Sequence, residues 1–119
     1  YDGGQPVPGG CNRHPERAAA GLWATASDLA MVLQAVVHSF HGSRHAVLPV
    51  ELAKRMVTPV SWQSGLGIFV HPGAVISHQG RNDGFDSGMV ANLKTGMIQT
   101  AVTNRNGAIE GYVRKLLPD

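Results

Sequence analysis

The 119-residue chain predicts an α+β domain in which helices flank an antiparallel sheet, and three observations carry that expectation. Leu29, Val32, Leu33, Val36, Val37 and Phe40 recur at three- and four-residue steps, the period of a helix with one apolar stripe. From Gly65 onward that period gives way to short apolar runs separated by turn residues, as strands with tight connections read. A last amphipathic stretch over 108–117 sets Ile109, Val113, Leu116 and Leu117 on one side. Helices, then strands, then a helix make an antiparallel architecture rather than alternating βαβ units.

Residues 1–20 carry Pro6, Pro8, Gly9 and Gly10 and are expected to be an irregular loop. Thr25 is placed to cap the first helix with Asp28 as its capping-box partner, and the helix is expected to run to about Ser39 and stop at Gly42. Pro49 suits the first turn of a second helix over 50–57, with Leu52 and Met56 inward and Pro59 closing it. Residues 66–70 and 74–78 read as a hairpin around Pro72-Gly73. Runs 85–93 and 97–104 flank Lys94-Thr95-Gly96, whose glycine can take positive φ, so they are expected to pair antiparallel. The organisation is a loop (1–20), a helical segment (21–60) and strands plus a C-terminal helix (61–119), together one partial domain.

With 43% hydrophobic and 15% charged residues the chain is not of disordered composition, and a net charge of +2 is spread over scattered Arg and Lys. No basic stripe with interleaved aromatics is present, which argues against nucleic acid as a partner. A single cysteine, Cys11, excludes an intrachain disulfide; with His14 it offers too few ligands for a structural zinc site. His38, His41 and His45 are a rival metal set, but histidines ending a helix already complement its dipole, and no carboxylate stands near them in sequence. No metal and no cofactor is implied. No apolar run is long enough to span a membrane, and the N-terminus has neither an initiator methionine nor signal-peptide character. The chain is therefore expected to begin inside a longer protein, with export left open.

A self-contained serine hydrolase is not legible. Ser77 and His78 are adjacent, so on a strand they point to opposite faces and cannot serve each other. No serine stands in G-x-S-x-G, none is followed three places on by lysine, and neither tyrosine begins Y-x-N. What remains is Ser77-His78-Gln79-Gly80-Arg81-Asn82-Asp83-Gly84-Phe85-Asp86-Ser87-Gly88, which sets a histidine, glycines and small polar residues between two strand-like stretches. Gly80 would let a substrate lie against the strand edge. Phe85, Trp62 and Trp23 are either pocket-lining or core residues.

Several segments together resemble the C-terminal part of the penicillin-recognising serine hydrolases: class C β-lactamases, DD-peptidases and related esterases. They are His78-Gln79-Gly80 in the H-x-G form of that family's third motif, Gly84-Phe85-Asp86-Ser87-Gly88 after it, Ala101-Val102-Thr103-Asn104, Gly21-Leu22-Trp23-Ala24-Thr25-Ala26-Ser27-Asp28-Leu29-Ala30, and Gly65-Leu66-Gly67-Ile68. The matches spread over roughly residues 15–117. The resemblance implies a bacterial hydrolase of esters, amides or β-lactams working through an acyl-enzyme. In it His78 would orient the nucleophile's proton network or donate to substrate, while Gln79, Gly80, Arg81 (through its N–H as an oxyanion donor) and Asn104 bind substrate. Glutamine at 79 replaces the usual threonine and removes a hydroxyl contact to a substrate carboxylate, against a true β-lactamase. The S-x-x-K and Y-x-N motifs would lie upstream in the missing N-terminal part, and this piece alone would be inactive, incomplete as a fold, and open at a strand edge and apolar surface. The other expectation is a non-catalytic ligand- or protein-binding domain on the same fold.

Overall fold

The computed structural model describes residues 5, 6, 9, 14–16, 18–109, 111, 112 and 115. Helix α1 (Ala26–Phe40) begins where its capping box closes: Thr25 N donates to Asp28 Oδ2 at 2.8 Å and Asp28 N to Thr25 Oγ1 at 3.1 Å. Those bonds, the one from the Thr25 backbone foremost, hold the Asp28 carboxyl below its ordinary value. Leu33, Val36 and Val37 form the buried stripe, whereas Val32, expected in it, is half exposed and shares the outward side with Met31. Ser39, also fully buried, donates from Oγ to Ala35 O at 2.7 Å and accepts from Val47 N and Leu48 N at 3.1 Å, tying the loop after α1 to the helix.

In α2 (Val50–Met56), Pro49 is the N-cap residue rather than part of the first turn. Ala53 and Val57 face inward beside partly buried Met56, and Leu52, expected inward, is half exposed. So short a helix resting on α1 covers only a narrow strip of its own surface.

Strands β1 (Phe69–His71), β2 (Val75–Asn82), β3 (Phe85–Asn92) and β4 (Ile98–Thr103) form one antiparallel sheet in that order. The fold is thus a small α+β domain with a four-stranded antiparallel sheet and helices packed on it. β1 starts later than the sequence suggests, because Leu66 N bonds Met56 O and Gly65 N bonds Ile68 O, which ties 65–68 into a turn. The β3–β4 loop forms as expected: Asn92 Oδ1 accepts from Lys94 N and Thr95 N at 2.9 and 3.0 Å, and Gly96 takes φ 73°.

Alternation along the register gives the sheet two faces. Ile76, His78 and Gly80 share the α1 face with Ala91, Met89 and Ser87 opposite them. There Ile76, Ala91 and Leu93 join Leu33, Val36, Val37, Val57 and Ile68 in the main core. Thr100 Oγ1 donates to Ala26 O at 2.7 Å and docks the start of α1 on β4. On the other face Val75, Val90 and Ala101 pack against Ile109.

Ala108 and Ile109 lie in a turn, while Gly111, Tyr112 and Lys115 are helical; Val113, Leu116 and Leu117, expected in the C-terminal helix, fall outside the described residues, as does Cys11. The described positions of the first twenty residues are turn, bend and irregular backbone, apart from a bridge at Gln5. Several large apolar side chains are exposed, among them Trp62, Leu22 and Trp23. No helix among the described residues is long and apolar enough to cross a membrane.

Candidate functional site

β2 is built in two halves. Val75, Ile76 and Ser77 pair with β1 on one side and β3 on the other and are buried, but β1 ends at Phe69, opposite Ser77. The rest of β2 runs past it, and His78, Gln79, Gly80 and Arg81 are all exposed. The sequence reading leaves 79–84 between strands; instead the strand continues to Asn82 and turns at Asp83-Gly84, where Gly84 takes φ 77°. The segment is strand because β3 pairs with it residue by residue, not because its own pattern alternates.

Ser77 and His78 do point to opposite faces. The buried Ser77 hydroxyl lies 2.8 Å from His71 Nε2, a diagonal pair across the β1–β2 hairpin, and burial lowers the pKa of His71. The His78 ring instead stands 6.1 Å from that of Phe69, inclined by 29°. No serine hydroxyl among the described residues bonds to His78.

From His78 the α1 face runs over Gly80 and Ser87 to Phe85. A Cβ on Gly80 would sit 2.9 Å from Ser87 Oγ, so the glycine is what lets the Ser87 hydroxyl lie close against the strand there. Phe85 meets Trp23 edge to face at 5.6 Å, closing that end about 13 Å from His78 at strand rise. Asn104 is not brought to His78. It follows Thr103, which pairs with Asp86, whereas the strands put Met89 and then Thr100 across from His78. Two strand spacings and about four residues separate Asn104 from the histidine, on the order of 15 Å.

Gln79, Arg81 and Asp86 belong to the opposite face, and with Gly80, Ser87 and Ile109 they line a cleft of about 250 Å³. Arg81 Nε donates to Asp86 Oδ1 at 3.2 Å, which ties its side chain back to β3. Asp86 is 5% exposed and also accepts from Asn106 Nδ2 at 3.2 Å and Gly107 N at 2.6 Å. Burial pushes its pKa up, but the bonds from Asn106, Arg81 and Gly107, with the Arg81 charge, outweigh that and hold the carboxyl below its ordinary value.

Asn106, absent from the residues singled out in the sequence, clamps the β2–β3 turn. Its Oδ1 accepts from Gly84 N at 2.7 Å and its Nδ2 donates to Asn82 O at 2.7 Å. The available signal was the Asn-Gly step at 106–107, a turn marker that says nothing of partners over twenty residues away.

The histidine-rich end of α1 does not gather. The His38 and His45 rings lie 5.6 Å apart, tilted by 37°, beside a second cleft, but His41 Nε2 is 2.6 Å from Leu93 O, and no group of three or more metal-binding side chains forms among the described residues. In comparisons with known proteins, no family model matches the chain and no curated protein is significantly similar to it. The functional reading therefore rests on the site.

Proposed function

We propose that this chain is the C-terminal portion of a serine hydrolase of the kind that includes class C β-lactamases, DD-peptidases and related esterases, acting on an ester, amide or lactam through an acyl-enzyme. The observation that carries the reading is the exposed half of β2: an H-x-G stretch on regular strand, running past the end of β1, with His78 and Gly80 on one face and the Ser87 hydroxyl against Gly80. A planar acyl group can lie along such a strand and meet main-chain donors, the Arg81 N–H among them. His78 reaches into solvent as a proton relay to a nucleophile that comes from outside these 119 residues. Gln79 and the Arg81 side chain act from the far side of the strand, and Asn104 lies toward the turn end of the sheet, away from the reacting group.

A second reading, a non-catalytic ligand- or protein-binding domain, is favoured by one observation: no serine in the chain is followed three places on by lysine. Intact-mass analysis of the longest natural protein containing this segment, after a fluorophosphonate and a labelled penicillin, separates the two. The hydrolase reading expects a stoichiometric adduct on an upstream serine, formed roughly 10²-fold more slowly by His78→Ala. An unlabelled protein that still binds an ester or amide ligand along β2 would establish the binding domain instead.

A further inference from the structure

Asn106-Gly107 is the only Asn-Gly step in the chain. Asparagine before glycine is chemically labile, because no side chain shields the following amide nitrogen from the asparagine carbonyl. Here every group that must move is engaged. Asn106 Oδ1 accepts from Gly84 N; Nδ2 donates to Asn82 O, Phe85 O and Asp86 Oδ1; and Gly107 N, the atom that would attack, donates to Asp86 Oδ2 at 2.6 Å. The residue is nevertheless on the surface, within reach of water.

We propose that Asn106 is a deamidation site which the native clamp holds closed, and whose conversion unlocks the β2–β3 hairpin irreversibly. In the reaction Gly107 N attacks Asn106 Cγ; the new N–Cγ bond closes a succinimide, the Cγ–Nδ2 bond breaks, and Nδ2 leaves as ammonia carrying the proton from Gly107 N. Water then adds to one of the two ring carbonyls and opens the ring to aspartate or isoaspartate. While the clamp is formed, the side-chain amide cannot swing toward Gly107 N without breaking its bonds, so conversion proceeds from the opened hairpin. Afterwards the clamp cannot re-form. The three bonds donated by Nδ2 are gone, and a carboxylate stands where Nδ2 was 3.2 Å from Asp86 Oδ1, putting two like charges in contact at a nearly buried position. Isoaspartate would in addition lengthen the backbone at the turn that holds Asn82 and Phe85.

The test is ageing of the purified chain at mildly alkaline pH and 37 °C, native and in urea, with peptide mass analysis for a gain of about 1 Da at Asn106. Native conversion is expected to be more than about tenfold slower than in urea, and Asp86→Ala to bring the native rate toward the denatured one. The converted wild-type fraction, separable by its added negative charge, is expected to exchange amide hydrogens over 82–87 faster than fresh protein. Equal rates in the two solvents, no conversion in either, or unchanged exchange in the converted fraction would each overturn the proposal. The ageing and exchange comparisons use wild-type protein, so they decide the matter even if Asp86→Ala fails to fold.

Discussion

The two halves of β2 are consecutive in one strand and held by different physics. Around Val75, Ile76 and Ser77 the sheet is covered on both faces, Ile76 by the α1 core and Val75 by Val90 and Ile109, and burial does the holding. Around 78–82 there is almost no apolar cover, and the hairpin is kept in shape by a polar clamp from Asn106, Asp86 and Arg81. The first half can carry no chemistry because nothing reaches it, whereas the second presents exposed side chains and main chain on a backbone fixed from one side. A site that must stay open to solvent cannot be secured by burial, and directional bonds to a neighbouring loop take its place.

The comparison can be broken most forcefully in the packed half. Ile76→Ala should cost about 2–5 kcal/mol in denaturant unfolding, since a fully buried side chain is replaced by a cavity beneath α1. A loss under about 1 kcal/mol would mean that the core does not rest on this strand.

In the open half the largest effect should come from the clamp. Asn106→Ala leaves Gly84 N and the buried Asp86 short of partners and should cost about 1–3 kcal/mol. Its mark should be regional, with faster amide exchange over 82–87 and little change at 75–77. The clamp also predicts a pH dependence. The folded pKa of Asp86 lies below its unfolded value, so its contribution is complete above the ordinary carboxylate range and disappears as pH falls through the folded pKa. Asp86→Asn should flatten that acid limb in a series of melting temperatures.

A smaller effect belongs to the β1–β2 hairpin. Burial lowers the folded pKa of His71, so its contribution is complete above the ordinary imidazole value and decreases as pH falls below it; His71→Gln should remove that slope between mildly acidic and neutral pH. Smallest of all, His78→Ala should leave unfolding free energy within about 0.5 kcal/mol, because the residue is exposed and its ring lies beside Phe69 rather than in the core. A large loss there would show that His78 supports the fold, and would remove the basis for giving it a functional role.

Local features of the fold were legible because their causes are local. The Thr25/Asp28 capping box, the Lys94-Thr95-Gly96 connection and the helix with its apolar period are each written within a few residues. The misplaced details are those that depend on what lies across from a residue. Val32 and Leu52 fit the helical period, but the docking of α1 and α2 left both half exposed. Of the candidate site, His78 was recognisable as the end of a strand and 79–84 only as a polar stretch between strands, whereas the remoteness of Asn104 depends on a register across β2, β3 and β4 that no window of sequence contains.

By itself the sequence determined that helices precede an antiparallel sheet, that Ser77 and His78 cannot act together, and that no complete nucleophile motif is present, since periodicity, alternation and motif spacing are properties of neighbouring residues. Only the tertiary structure decided that β2 continues through 79–82, that its outer half extends past β1, and that Asn106 and Asp86 hold it there. The strand pairing depends on the facing strand, and the clamp on partners twenty or more residues away. Strand pairing and long-range side-chain bonds are chosen by the folded chain as a whole, by what is left to satisfy a backbone group once the core has closed.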